Sequence, residues 1–116
     1  MDVVAEYRMN LKYPDGEIVP VRLRIGRPRE LPSGNWHCDA DIEGRLRIHS
    51  TANGPLSAGS DAGTAWQALV FALRFLSRLL RSEVRHGGAA LYSHGEHPHP
   101  LHFDELFPVR REWEHD

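Results

Sequence analysis

Cysteine is almost absent from this chain, since Cys38 is the only one among 116 residues. A single cysteine excludes an internal disulfide framework. No apolar run reaches the roughly 20 residues that a membrane-spanning helix needs, because polar residues interrupt the most apolar stretch, Ala65–Leu80. The N-terminus lacks the basic and apolar segments of a signal peptide. We therefore expect a cytoplasmic protein with no membrane partner.

Lysine and excess positive charge are also scarce. Lys12 is the only lysine, and the formal net charge is -2, which disfavours a general nucleic-acid partner on charge grounds. The chain is 41% apolar and 26% charged, a composition typical of globular proteins. We predict a single domain over residues 1–116.

Catalytic signatures are missing as well. Gly54–Asp61 is rich in glycine but lacks the Gly-Lys-Ser/Thr ending of a phosphate-binding loop, and no spacing of Ser, His and Asp assembles a triad. Cys38 lies among inward-facing residues and is predicted to be a core thiol. The sequence therefore favours a protein without catalysis, while the enzyme alternative stays open.

Four segments alternate apolar and polar residues, as half-buried strands do. A Pro-Asp-Gly turn follows the first segment, and Gly44 allows a tight turn after the third. Pro20 cannot donate a ladder hydrogen bond, so its strand is predicted to lie at an edge there. Residues 51–60 are rich in Gly, Ser and Ala and are predicted to be a loop. The predicted strands cover residues 3–12, 17–26, 36–43 and 45–50.

The polar face of this sheet carries a charge pattern. An acidic row on the third strand is flanked by arginines on its predicted neighbours, which favours cross-strand ion pairs. The alternative is a docking surface for a charged partner. The acidic row is Asp39, Asp41 and Glu43, and the arginines are Arg22, Arg24, Arg45 and Arg47.

Residues 61–86 have helical periodicity, with Ser60 or Asp61 as the predicted N-cap and two glycines as the stop. At about 100° per residue, one broad apolar stripe is predicted to cover the sheet. That stripe comprises Trp66, Leu69, Val70, Leu73, Leu76, Leu80 and Val84.

A second apolar stripe, Phe71, Phe75 and Leu79, points away from the first and lies beside a basic ridge that includes Arg74 and Arg78. One helix on one sheet cannot bury both stripes. Either the C-terminal segment 89–116 covers the second stripe, or a protein partner or second copy does. These five residues are the interface candidates, and nucleic-acid binding by the ridge is the weaker alternative.

The C-terminal segment is unusually rich in histidine. Imidazole groups close in sequence can bind zinc, nickel or copper, but no helical His-Glu-x-x-His motif is present. A metal-binding protein or metal-dependent enzyme is therefore the alternative function. Its candidate ligands are His94, His97, His99 and His102.

The order of short motifs resembles a family of small bacterial proteins catalogued as a domain of unknown function. The resemblance extends to Pro108 and implies bacterial origin and the strand-then-helix architecture, but it transfers no catalytic residue. The histidine-rich stretch departs from it. The motifs are Pro14-Asp15-Gly16, Val21–Pro28, Trp36-His37-Cys38, Ile42-Glu43-Gly44, Ala65–Leu69 and Leu106-Phe107-Pro108.

Together these patterns predict an α+β domain. An antiparallel meander of four to five strands packs on one long helix, and an irregular C-terminal segment follows. The expected function is a non-catalytic protein-interaction module, such as a homodimer or an immunity or adaptor protein.

Overall fold

In residues 1–49 and 56–107, which this computed structural model describes, an antiparallel sheet is covered on one face by a long helix. The predicted α+β class is confirmed. In chain order the elements are β1 (Val3–Lys12), β2 (Ile18–Gly26), β3 (Arg29–Glu30), β4 (Trp36–Glu43), β5 (Leu56–Ala62), α1 (Ala65–Arg85), β6 (Ala90–Ser93) and α2 (Phe103–Leu106).

The sheet is a meander with one late addition. The β1–β2 hairpin turns at Pro14-Asp15-Gly16, where Gly16 has the positive φ of 89° that favours glycine. β4 pairs with β2, β5 pairs with β4, and β6 returns after α1 to pair with β1, giving the order β5-β4-β2-β1-β6, with β3 beside the start of β4. Pro20 pairs with Asn10 on β1 and lies outside the β2–β4 pairing, which confirms the predicted edge position.

The alternation predicted for β2, β4 and the second half of β1 places one set of side chains in the core. In the first half of β1 the predicted inward residues Val3, Ala5 and Tyr7 are exposed instead. Each large apolar side chain buried in the core contributes roughly 1.5–3 kcal/mol. The buried residues of these strands include Met9, Leu11, Val19, Val21, Leu23, Ile25, Cys38, Ala40 and Ile42.

The predicted fourth strand, residues 45–50, is wrong over Arg45–His49, where the chain forms no strand. The backbone N–H groups of Arg47, Ile48 and His49 all donate to the carboxylate of Glu83 in α1. Because a buried side chain takes these donors, they cannot join a strand ladder. The last predicted strand residue, Ser50, lies outside the described residues.

The predicted loop at residues 51–60 is wrong over its second half, where β5 forms. Leu56–Ala62 pairs with β4 in continuous register from Trp36↔Ala62 to Ile42↔Leu56. Its small residues have little strand propensity, but pairing along a whole neighbouring strand overrides that preference. Residues 51–55 lie outside the described residues.

The helix begins later than predicted. Asp61 belongs to β5, and Thr64 is the N-cap of α1 because its Oγ1 accepts a hydrogen bond of 3.1 Å from the Gln67 backbone N–H. A Thr followed three residues later by Gln matches the capping-box pattern.

The predicted sheet-facing stripe is also wrong in its orientation. Trp66 is 74% exposed, whereas Ala68 and Ala72 are fully buried. At about 100° per residue, the buried face is turned by roughly a quarter of a turn from the predicted one and lies between the two apolar stripes. Small side chains allow the helix to approach the sheet closely. The buried helix residues are Ala68, Ala72, Leu76, Ser77, Leu79, Leu80 and Glu83.

Candidate protein-interaction site

Because α1 buries the sector between its apolar stripes, each stripe lies on one flank of the helix. On the flank toward β1, Leu73 and Leu76 line a groove with Leu106 and Phe107. The C-terminal segment is held there by the Leu101 N–H, which donates to the Leu91 carbonyl at 2.9 Å. Leu106 and Phe107 of the predicted cover therefore lie beside the first stripe rather than over the second, and residues 108–116 of the predicted segment lie outside the described residues.

The opposite flank of α1 overhangs β5 and forms an open groove of about 370 Å³. It brings together four of the five predicted interface residues, Phe71, Arg74, Phe75 and Arg78, with Ala58 of β5. We call this the β5 groove. Phe71 is 41% exposed.

Leu79, the fifth interface candidate, is not part of the β5 groove. It is 6% exposed and packs in the hydrophobic core. The prediction for Leu79 is wrong because the quarter-turn rotation of the helix moves it from the second stripe into the buried face. Phe75 is partly buried and packs against the same core.

The β5 groove arises from the four-residue spacing of its helix residues and from the small side chain of Ala58. Phe71 and Phe75 are four residues apart, as are Arg74 and Arg78, so each pair stacks along one side of the helix. Ala58 faces the helix side of β5, where Leu56 and Ala62 pack against the core. Its methyl group is too short to fill the space beneath the phenylalanines.

The edge of β5 borders this groove. In the described ranges 1–49 and 56–107, β5 pairs with β4 and with no other strand. A strand with one unpaired edge presents backbone N–H and C=O groups that can pair with another chain. An apolar groove and an open strand edge therefore lie side by side.

The arginines of the β5 groove differ from those of the sheet. Arg24 makes a bidentate pair with buried Asp41 at 2.9 and 2.6 Å, and Arg22 pairs with Glu43 at 3.0 Å. Among the described residues, no carboxylate lies within 4.0 Å of a guanidinium nitrogen of Arg74 or Arg78. Within the described part of the chain, the positive charge of the groove is therefore uncompensated.

The outer face of the sheet, in contrast, pairs most of its charges internally. The cross-strand ion pairs predicted for it are confirmed for Arg22 and Arg24. Arg47 was predicted to lie on a neighbouring strand, but no strand forms there. It pairs with Asp15 at 2.7 Å and stacks over the Tyr13 ring at 4.1 Å from the centroid. The outer face of the sheet therefore offers a charged partner fewer unpaired charges than the β5 groove does.

His37 joins β4 to β5 and was missed by the sequence reasoning. Its Nε2 is 2.8 Å from Asp39 Oδ1, and its Nδ1 contacts Asp61 Oδ1 on the paired strand. Hydrogen bonds to Asp61 and Asp39 raise the pKa of His37. The ring lies over Gly59, where a Cβ would overlap it. Only the pairing of β4 with β5, which the sequence pattern did not predict, brings these groups together.

The four histidines proposed as metal ligands are exposed, and His99 Nδ1 is 2.9 Å from Ser93 Oγ. Within residues 1–49 and 56–107, no three His, Cys, Asp or Glu side chains are placed to hold a metal ion. His94, His97 and His102 are among the described residues, and they form no such group either. The metal alternative therefore gains no support from the geometry.

Cys38 lies in the core as predicted. It is fully buried, and its Sγ–H donates to the Gly26 carbonyl at 3.4 Å. Burial raises the pKa of the Cys38 thiol, which disfavours the thiolate that a nucleophile requires.

The groove on the β1 flank has a volume of about 330 Å³ and is mostly apolar, with Ala5, Tyr7 and Leu23 among its lining residues. Phe107, the last described residue, forms part of its wall. Nothing in the described residues shows what covers this groove, so it does not identify a site.

In the part of the chain that the structure describes, no helix is long and apolar enough to cross a membrane. Comparison with protein-family models, curated proteins and solved structures finds no match to this chain. The family resemblance of its short motifs therefore stays a prediction.

Proposed function

We propose that this protein is a non-catalytic interaction module that binds an acidic segment of a partner protein in the β5 groove. The observation that carries the proposal is the combination of exposed Phe71 with Arg74 and Arg78 in one open groove. Aromatic and arginine side chains are enriched in protein interfaces.

The charge of the groove favours an acidic partner over a second copy of this chain. In a symmetric dimer formed through the β5 groove, Arg74 and Arg78 of one copy would approach the same arginines of the other. Within α1 (Ala65–Arg85) the only acidic residue is Glu83, which is fully buried and cannot compensate them. An acidic segment supplies the missing countercharge.

The experiment is a selection of peptides from a random phage-displayed library on the immobilised protein. We expect the wild type to enrich peptides that combine Asp or Glu with apolar residues. The double variant R74E/R78E should lose these peptides and enrich Lys- or Arg-containing ones, because the charge of the groove is reversed. The matched control is R8E/R29E, which changes the net charge equally at two exposed arginines outside the groove.

Three outcomes would overturn the proposal. The first is that no acidic peptide is enriched on the wild type, or that R74E/R78E retains the same peptides. The second is a wild-type dimer in light scattering that R74E/R78E dissociates, which would assign the groove to a second copy. The third is a single-stranded RNA oligonucleotide whose binding depends on Arg74 and Arg78, which would assign it to nucleic acid.

A further inference from the structure

The structure also indicates how the partner segment is bound, and this inference rests on the proposed function. We infer that the acidic segment binds in extended conformation and adds to the open edge of β5 as a further strand of the sheet. Strand addition to an exposed sheet edge is a recurring mode of peptide recognition, in which the backbone supplies affinity and alternate side chains supply specificity.

The open edge of β5 is the first observation behind this inference. Among the described residues, β5 is paired along its length on the β4 side, from Leu56 to Ala62, and has no strand on the other side. Its free edge carries the backbone groups that a further strand requires. The His37–Asp61 contact also ties β5 to β4 by a side-chain link, which holds the edge strand in place.

The second observation is the spacing of the helix residues that overhang this edge. Four residues of helix rise about 6 Å, which separates Phe71 from Phe75 and Arg74 from Arg78. Two residues of a strand span about 6.6 Å. Along α1 the groove residues alternate in kind as Phe71, Arg74, Phe75 and Arg78, and α1 packs against β4 and β5 in this region. Two carboxylates that flank one apolar residue at alternate strand positions are about 13 Å apart. The long arginine side chains of Arg74 and Arg78 can reach both carboxylates while the apolar residue contacts a phenylalanine.

This geometry specifies the bound sequence. Helix-facing positions of the added strand alternate between an apolar residue, which contacts Phe71 or Phe75, and a carboxylate, which pairs with Arg74 or Arg78. The intervening positions face the polar side of the sheet, beside Ser57 and Gly59. The partner segment is thus an extended stretch with acidic and apolar residues at every second position.

The test uses the fluorescein-labelled peptide TETVTET, in which Glu, Val and Glu occupy alternate positions, and measures its binding by fluorescence anisotropy. The composition-matched control TTEEVTT breaks the alternation. We expect R74E/R78E and the control peptide each to weaken binding about ten-fold or more, the effect of about 1.4 kcal/mol.

Two further peptides carry N-methyl groups on alternate backbone nitrogens, one set on odd and one on even positions. In a strand, successive N–H groups point to opposite edges, so strand addition uses only one of the two sets. We expect one N-methylated peptide to bind within about three-fold of the parent, and the other to lose about ten-fold or more. Amide hydrogen exchange in Leu56–Ala62 should also slow in the complex with the parent peptide.

Equal effects of the two N-methylated peptides, or unchanged exchange in β5, would overturn strand addition. So would the absence of TETVTET binding while library-selected acidic peptides still bind through Arg74 and Arg78. In these cases the proposed function stands and only the binding mode is wrong. Loss of all acidic-peptide binding would instead overturn the proposed function.

Discussion

The replacement of Glu83 by Gln tests how a buried carboxylate fixes the chain after β4. Glu83 Oε1 accepts from the Tyr13 hydroxyl at 2.5 Å and from the Arg47 N–H at 2.8 Å. Oε2 accepts from the N–H groups of Ile48 and His49 at 3.0 and 3.2 Å. Glu83 is fully buried, so water does not compete for these bonds.

A Gln side chain can keep only one of these oxygens. If it keeps the contacts to Tyr13 and Arg47, its amide nitrogen faces the N–H groups of Ile48 and His49, and two charge-assisted bonds are lost. At about 1.5 kcal/mol for each hydrogen bond to a charged group, the free energy of unfolding should fall by about 3 kcal/mol. Tyr13→Phe removes one donor to the same carboxylate and should cost about 1.5 kcal/mol.

Urea unfolding followed by circular dichroism measures these losses, and amide hydrogen exchange locates them. We expect the amides of Arg47, Ile48 and His49 to exchange faster in Glu83→Gln. The control is Glu96→Gln, an exposed position where the change should stay within about 0.5 kcal/mol. A Glu83→Gln protein as stable as this control, with unchanged exchange at the three amides, would refute the reasoning.

Three further predictions follow from the described contacts. Because the pKa of His37 is raised in the folded protein, its ion pairs stabilise the fold fully below the ordinary pKa of 6.5, and this contribution is lost as pH rises through the folded pKa. The stability difference between wild type and His37→Gln, measured by urea unfolding from pH 5 to 9, should therefore shrink as pH rises, and a growing difference would contradict this. Gly59→Ala should displace the imidazole that lies over it and return the pKa of His37 toward its ordinary value in an NMR titration; an unshifted titration would contradict the packing. Leu79→Ala should cost about 2–5 kcal/mol and Phe71→Ser within about 1 kcal/mol, because only Leu79 is buried; equal losses in thermal unfolding would place both in the core.

The strands that could be predicted from the sequence are those with strong alternation of large residues. β1, β2 and β4 carry it, and most of their inward residues are buried as expected, but Val3 and Tyr7 at the start of β1 are each 39% exposed. β5 could not be predicted, because Leu56–Ala62 contains mostly small residues and owes its conformation to pairing with β4. The false strand over Arg45–His49 has the opposite cause: it alternates well, but its N–H groups are taken by a side chain distant in sequence.

The sequence predicts that a helix forms here, but it does not predict which face of the helix is buried. The prediction relied on large apolar residues, so it gave no weight to Ala68 and Ala72, which are fully buried, and gave weight to Trp66, which is exposed. Two signals were available in the sequence. Thr64 and Gln67 form a capping-box pattern, and Glu83 is a lone acid in an arginine-rich helix, at an angle between Leu76 and Leu79.

The same rotation of the helix explains why the candidate site lies where it does. If α1 had buried its broad stripe, Phe71 and Phe75 would face solvent directly above the helix, far from any backbone partner. Because the buried face lies between the stripes, the phenylalanines are instead carried to the edge of β5, where an unpaired strand edge begins. Both flanks carry a groove, but only the β5 groove has arginines that pair with no carboxylate among the described residues. The proposed interaction site at β5 therefore requires no motif of its own, since the groove arises from the sector that the alanines and Glu83 direct toward the core.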